Sequence, residues 1–227
     1  MSGGQVKVPL VLKAGYGFTA GWAGQHTGSI YAMFAGIPGL KVVLPSTPAD
    51  AKGLMASAVR DDNPVIYLIH YLLVLEHGDV PEGEHVVPIG EAAVRRPGSD
   101  VTLVATGWTV GKALAAADAL AAEGIEAEVI DPRSLQPLDM PAILSSVEKT
   151  GHLVIADQAT RHASAASIIA AEVAEHGFGS LKAPIKLVTA LDATIPYSEP
   201  MEAFVLPDEK KIANAVRQVV GSAPVAA

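Results

Sequence analysis

The stretch that decides the fold covers residues 100–139 and reads DVTLVATGWTVGKALAAADALAAEGIEAEVIDPRSLQPLD. Residues 101–105 are short, apolar and partly β-branched, which is typical of a buried strand. In residues 110–123 apolar side chains recur every three or four positions, as on one face of a helix. Gly124 ends this helix, because glycine adopts the left-handed conformation without steric cost. Residues 125–130 then form a second predicted strand.

A strand, a helix of this length and a strand predict a right-handed crossover within a parallel sheet. The same order occurs earlier in the chain, where strands are predicted at 40–44 and 65–69 with a helix at 49–60 between them. Thr47 is the predicted cap of that helix. The sequence therefore predicts an α/β protein with a parallel, three-layer arrangement.

The rest of the chain supplies less regular expectations. Residues 6–13 are predicted to form a strand that either lies at an edge or begins near Pro9, because proline lacks an amide donor. Residues 157–164 and the segment LDATIPYSEP, residues 191–200, are predicted to be loops. Helices are predicted at 165–176 and 209–220.

A polar stretch divides the sequence into two parts. We expect residues 1–72 to form one domain, 73–98 to connect it, and 99–227 to form a second domain. The whole chain has 227 residues, half of them hydrophobic, which is enough for a large core.

Composition excludes several classes of function. The formal net charge is −8 and no basic cluster is present, so we expect no nucleic-acid partner. No apolar run is long enough to span a membrane. Cysteine is absent, which rules out disulfides and thiol chemistry and fits a reducing compartment such as the cytoplasm. The histidines other than His26 and His70 lack the spacing of a metal site.

A glycine-rich segment is the strongest candidate for a functional site. Residues 14–29 read AGYGFTAGWAGQHTGS, with glycine at five positions and three aromatic residues. One interpretation is a flexible surface loop. We favour a backbone packed closely against a ligand or partner, because exposed aromatic residues are costly in water. No Gly-Lys-Ser/Thr follows, so the segment is not a Walker phosphate loop.

Three motifs in order carry a resemblance to a known family. They are GGQVKVPLVLKAG leading to AGQHTGS, then PGLKVVLPSTPADAKGLMASAVRDDNPVIYL, and finally EGIEAEVIDPRSLQPLD with KTGHLVIAD. The chain resembles, from about Ser2 to Val220, the beta subunit of the thiamine-diphosphate-dependent decarboxylating component of 2-oxo acid dehydrogenases (pyruvate, branched-chain or acetoin). The resemblance implies the latter part of a pyrimidine-binding α/β domain followed by a transketolase C-terminal domain.

The resemblance implies roles for the glycine-rich segment. His26 matches a histidine that lines the active-site channel and assists proton and acyl transfer, which suits an imidazole because it titrates near neutral pH. Gln25 precedes it in the family motif. Tyr16 and Phe18 could line the same cavity around the cofactor, or could equally be packing residues. His70 is either a core residue or a site residue.

A cation site is also implied. Leu10, Ala58, Asp61 and Asn63 match a loop that binds potassium in some family members, through the oxygen ligands that such ions favour. The plainer interpretation is an Asp/Asn stop at the end of a helix. By the same resemblance, Asp131-Pro132-Arg133 is a structural turn in which Arg133 pairs with a carboxylate.

The resemblance also implies cofactors and partners. Thiamine diphosphate and magnesium would be bound mainly by an alpha subunit, with a second beta subunit and a lipoyl acyltransferase core as further partners. The family carries an additional amino-terminal section with the glutamate that activates the cofactor, which we do not find in this sequence. The family acids are also replaced at Ile69 and Gln158. Two functions follow: the beta subunit of an enzyme that decarboxylates a 2-oxo acid, with pyruvate as the expected substrate, or a non-catalytic assembly module.

Overall fold

A computed structural model describes residues 5–18, 21–162 and 164–221. Within them the strands form two sheets. The strands are β1 (Val11–Tyr16), β2 (Lys41–Val43), β3 (Val65–His70), β4 (Ala93–Arg96), β5 (Val101–Ala105), β6 (Ala127–Asp131), β7 (Ser134–Gln136), β8 (Leu153–Thr160) and β9 (Lys186–Ala190). The α-helices are α1 (Ala23–His26), α2 (Tyr31–Ala35), α3 (Pro48–Ala58), α4 (Thr109–Ala121), α5 (Met140–Thr150), α6 (Ala165–His176), α7 (Glu199–Val205) and α8 (Glu209–Val220).

The larger sheet has the strand order β4-β6-β5-β8-β9. Its strands are parallel except β4, which pairs antiparallel with β6. Leu103 faces a core that includes side chains of α4 and α8, whereas its neighbour Val104 faces a core shared with α5 and α6. This alternation places helices on both faces of the sheet and confirms the predicted three-layer α/β arrangement.

The smaller sheet has the order β1-β3-β2-β7. β1 and β2 both run parallel to β3, as the strand–helix–strand order predicts. β7 comes from the later half of the chain and pairs antiparallel with β2, with Val42 opposite Gln136. The two halves of the chain are therefore joined by a shared sheet as well as by packing.

Two strand predictions need correction. β1 begins at Val11 rather than Val6, because its register with β3 starts at the pair Val11 and Val65. β1 is nevertheless an edge strand among the described strands, as Pro9 indicated. β8 continues through the predicted loop to Thr160, because Asp157 and Thr160 still pair with β9.

The segment predicted as an irregular loop before residue 200 ends in a helix. α7 begins at Glu199 with Pro200 in its first turn, a position that tolerates the missing amide donor. The glycine-rich segment likewise contains the short helix α1. The predicted cap of α3 is confirmed, because the Thr47 hydroxyl accepts a hydrogen bond from the backbone amide of Asp50 (3.1 Å).

A group of four charged side chains crosses between the two halves. Asp50 of α3 pairs with Arg95 and also with Arg133 (3.4 Å), and Arg95 pairs with Asp131 (2.8 Å). The pairing of Arg133 with a carboxylate is therefore confirmed. Burial raises the pKa of Asp131, and the Arg95 guanidinium opposes that rise.

In the described part of the chain, no helix has the length and apolar character to cross a membrane.

Candidate functional site

The glycine-rich segment forms a closed loop at the carboxyl ends of β1 and β3. Tyr16, the last residue of β1, lies opposite His70, the last residue of β3. Gly17 then turns the chain with φ +87°, a conformation that favours glycine. Its amide donates to the carbonyl oxygen of Gly28 (3.4 Å), which closes the loop. Thr19 and Ala20 lie outside the described residues.

An aromatic cluster lies beneath this loop. The Tyr16 ring meets His70 edge to face at 5.4 Å between centroids, and Phe18 meets His70 at 5.1 Å. Trp108, at the start of α4, stacks on His70 at 5.7 Å and contacts Phe18 at 4.6 Å. Tyr16 and Phe18 are only 2% and 8% exposed. Their rings therefore pack against residues from both halves of the chain.

His70 is fully buried at the centre of the cluster. Its Nδ1 accepts a hydrogen bond from the Leu72 amide (3.1 Å), so the neutral ring carries its proton on Nε2. Loss of solvation lowers the pKa of His70 to about 4, and the nearby Gln158 amide opposes this shift. His70 is thus an uncharged ring near neutral pH.

A second buried polar group joins the loop to the larger sheet. Asp157 of β8 accepts hydrogen bonds from Tyr31, from Thr106 (3.3 Å), and from the amides of Ala159 (3.1 Å) and Ala166 (3.2 Å). Burial raises the pKa of Asp157, while these hydrogen bonds lower it in part. Burial also raises the pKa of Tyr31. This group holds the start of α2 against β8.

The two predicted site residues in α1 are accessible. Gln25 and His26 are both exposed, whereas Thr27 is buried. The His26 ring lies 6.1 Å from Trp22, which in turn lies 5.4 Å from Tyr71. The structure therefore brings Tyr16 and Phe18 together around His70, and places Gln25 and His26 on the surface of the same loop.

A cavity of about 390 Å³ opens beside the loop. One wall is formed by Gly24 and residues 27–29, and the opposite wall by residues 158–160 and 193–195. Gln158 bridges the walls, because its Nε2 donates to Ser29 Oγ (2.9 Å). Sequence patterns did not single out Trp108 or the 193–195 wall, since only the packing of the two halves brings them here.

The residues matched to a potassium loop lie between β1 and the end of α3. The Leu10 carbonyl accepts from the Val65 amide (2.8 Å), and the Ala58 carbonyl accepts from the Asp61 amide (3.3 Å). Asp61 pairs with Lys41 and accepts from the Asn63 amide (2.9 Å). Each carbonyl keeps a second lone pair, and Lys41 already neutralises the carboxylate. Potassium binding stays a prediction.

No cluster of three or more histidine, cysteine or acidic side chains able to hold a metal ion occurs among residues 5–18, 21–162 and 164–221. The groups of the loop that could reach a bound molecule are the amide of Gln25 and the imidazole of His26, since both are exposed. The exposed face of the loop thus presents an amide and an imidazole, both of which can form hydrogen bonds.

Comparison with known proteins assigns both halves of the chain. The family described as "Transketolase, pyrimidine binding domain" matches residues 1–74, and "Transketolase, C-terminal domain" matches residues 90–212. The chain is 46% identical over 222 residues to the acetoin:2,6-dichlorophenolindophenol oxidoreductase subunit beta of Cupriavidus necator, covering 97% of this chain and 65% of that protein. It is 41% identical to the pyruvate dehydrogenase E1 component subunit beta of Rickettsia bellii, covering 96% of this chain and 67% of that protein.

Among solved structures, the chain is similar to a protein titled "Split gene transketolase, inactive beta4 tetramer". The TM-score is 0.76 at 25% identity, covering 95% of this chain and 67% of that one. The chain spans about 65% of the length of the acetoin oxidoreductase beta subunits that it matches.

Proposed function

Because the chain belongs to the family of 2-oxo acid dehydrogenase beta subunits, with a transketolase pyrimidine-binding domain followed by a transketolase C-terminal domain, we propose that it is one half of such an enzyme's active site. The reaction is the oxidative decarboxylation of a 2-oxo acid, pyruvate first, with transfer of the acyl group to lipoate. The observation that carries the proposal is the accessible His26 at the end of α1, within a loop closed by glycines.

Thiamine diphosphate, when bound, supplies the carbanion chemistry that such a decarboxylation needs. In our proposal Gln25 and His26 face the cofactor side of the loop, with His26 moving a proton during acyl transfer. Tyr16 and Phe18 support the loop from beneath, because their rings are buried against His70. We assign the diphosphate and magnesium site, and the glutamate that activates the cofactor, to polypeptide outside these 227 residues.

The partners follow from the same proposal. An alpha subunit provides the other half of the pocket, a second beta subunit completes the component, and the acyl group passes to a lipoyl acyltransferase core in the cytoplasm. Exposed apolar residues support an assembled state. Met201 and Phe204 of α7 are 58% and 69% exposed, and Leu10 and Leu12 at the free edge of β1 are also exposed.

A reconstitution experiment tests the proposal. The chain is combined with an alpha subunit, with and without the amino-terminal section of a related beta subunit, and 2-oxo acid-dependent reduction of a dye is measured. We expect turnover in at least one combination and a loss of about 100-fold on His26→Ala, within the range for general acid–base groups. His176→Ala, at the exposed end of α6, is the matched control. An absence of turnover with pyruvate and with branched-chain 2-oxo acids in every combination would refute the proposed enzymatic function.

The alternative is a non-catalytic assembly module. It is favoured by Ile69 and Gln158, which stand where the family has acids, because loss of acidic groups near the site suits docking without chemistry. Calorimetry with thiamine diphosphate and magnesium separates the two functions. Saturable binding that requires the alpha subunit supports the enzyme, whereas binding of the acyltransferase core without any cofactor binding supports the assembly module.

A further inference from the structure

Besides the Tyr31–Asp157 contact, a second buried side chain ties the loop that carries His26 to the larger sheet. Gln158, near the carboxyl end of β8, donates from Nε2 to Ser29 Oγ at 2.9 Å. Ser29 lies three residues after His26 and immediately before α2. The hydrogen bond therefore links the loop of one domain to a strand of the other.

The surroundings of Gln158 leave it little freedom. Its side chain is 3% exposed and lies under Gly17. A Cβ atom on Gly17 would approach Gln158 Nε2 to 2.8 Å and the His70 ring more closely still. Gly17, the Gln158 amide and the His70 imidazole are thus closely packed on one another. Because there is no free space between them, we expect a shift of the Gln158 amide to move the loop as well.

The Gln158 amide lies beside the His70 ring under Gly17. His70 Nε2 carries a proton and Gln158 Oε1 is an acceptor, and both atoms are buried without a hydrogen-bond partner among the described residues. Native proteins keep very few such groups, so their presence here calls for a reason. A neutral amide beside a neutral imidazole keeps the Ser29 contact without placing a charge in the core.

We propose that Gln158 is a positioning residue for His26 and that it acts through its hydrogen bond to Ser29. This inference rests on the proposed function, because it names a residue that serves the His26 loop. The position of the His26 imidazole would then depend on β8 of the larger sheet as well as on the loop itself.

Hydrogen exchange tests the positioning directly on the full chain. We expect Gln158→Leu and Ser29→Ala each to raise amide exchange in residues 24–29 at least tenfold, with exchange in α8 unchanged. The double variant should add nothing further, because both changes remove the same hydrogen bond. Unchanged exchange in both single variants, or additive effects, would overturn the proposal. If Gln158→Leu does not fold, Ser29→Ala decides alone.

Activity of the reconstituted component gives a second readout. We expect both variants to lower kcat about tenfold with KM unchanged, and Gln158→Glu to restore most of it, because Ser29 can then donate to the carboxylate. Gln158→Glu should also raise the pKa of His70, followed by the ring proton signals, through a new opposite charge. A wild-type component without turnover would refute the proposed function, while the exchange experiment would still decide the role of Gln158.

Discussion

The hydroxyl group of Tyr31, at the start of α2, donates a hydrogen bond to the buried carboxylate of Asp157 in β8. We expect Tyr31→Phe to destabilise the chain by about 1–3 kcal/mol, because a buried acceptor loses one of its donors. Urea unfolding measures the change. The control is Tyr197→Phe at a 76% exposed ring, which should alter stability by less than about 0.5 kcal/mol. Equal effects of the two substitutions would contradict this account.

The group of charged side chains around Asp50 should also help to join the two halves of the chain. Asp50→Ala leaves the partly buried guanidinium groups of Arg95 and Arg133 without this partner, for which we expect a loss of about 3 kcal/mol. Chemical denaturation is the measurement. Glu84→Ala, which breaks the exposed Glu84–Arg60 pair, should cost less than about 1 kcal/mol. A small effect at Asp50 would show that the shared sheet and packing hold the two halves without these ion pairs.

The buried His70 predicts a dependence of stability on pH. Its pKa is about 4 when folded and about 6.5 when unfolded, so the unfolded state binds the proton more readily. The contribution of His70 is complete above about pH 6.5 and falls as the pH drops towards 4, by about 3 kcal/mol in total. Unfolding of the wild type and of His70→Gln, compared between pH 7 and pH 4, isolates it. Parallel curves for the two proteins would exclude this effect.

Gly17 should tolerate no side chain. Gly17→Ala combines strain at φ +87° with overlap between its Cβ and the stack of His70 and Gln158. Gly39→Ala is a matched control, since Gly39 has φ +90° and no described atom lies within 4 Å of its Cβ position. We expect about 1 kcal/mol of strain in the control and a clearly larger loss at Gly17, by thermal unfolding. Similar losses of stability in the two variants would show that a side chain at position 17 does not overlap with His70 and Gln158.

The potassium prediction is tested by an exchange of salts. If Leu10, Ala58, Asp61 and Asn63 hold the ion, potassium chloride should raise the unfolding midpoint above that in sodium chloride at equal ionic strength. The increase should grow with the logarithm of the potassium concentration. Asn63→Ala should abolish the difference between the two salts. Identical midpoints in both salts would favour the plain helix stop.

Much of the fold could be predicted because its signals are local. The short apolar run of β5, the apolar face of α4 and the Thr47 cap of α3 are each read from neighbouring residues, and the boundaries of β5, α6 and α8 were predicted to the residue. The start of β1 and the end of β8 were wrong, because strand ends are decided by the partner strand and not by the strand's own residues.

The candidate site divides in the same way. The glycines and aromatic residues together predicted a backbone packed closely against a ligand or partner, and that stays a prediction; the structure shows Gly17 packed against His70 and Gln158 of the chain itself. No local pattern could show that Trp108 stacks on His70, because 38 positions separate them in the sequence and they belong to different domains.

The sequence by itself determined the class of fold and the family, because periodicity, turn residues and motifs are read from neighbours along the chain. Only the tertiary structure decided that Tyr16 and Phe18 face inward, that β7 completes the smaller sheet, and that Gln158 holds Ser29. The physical reason is that these contacts form between segments far apart in the chain, where burial and hydrogen bonding depend on how the two halves pack.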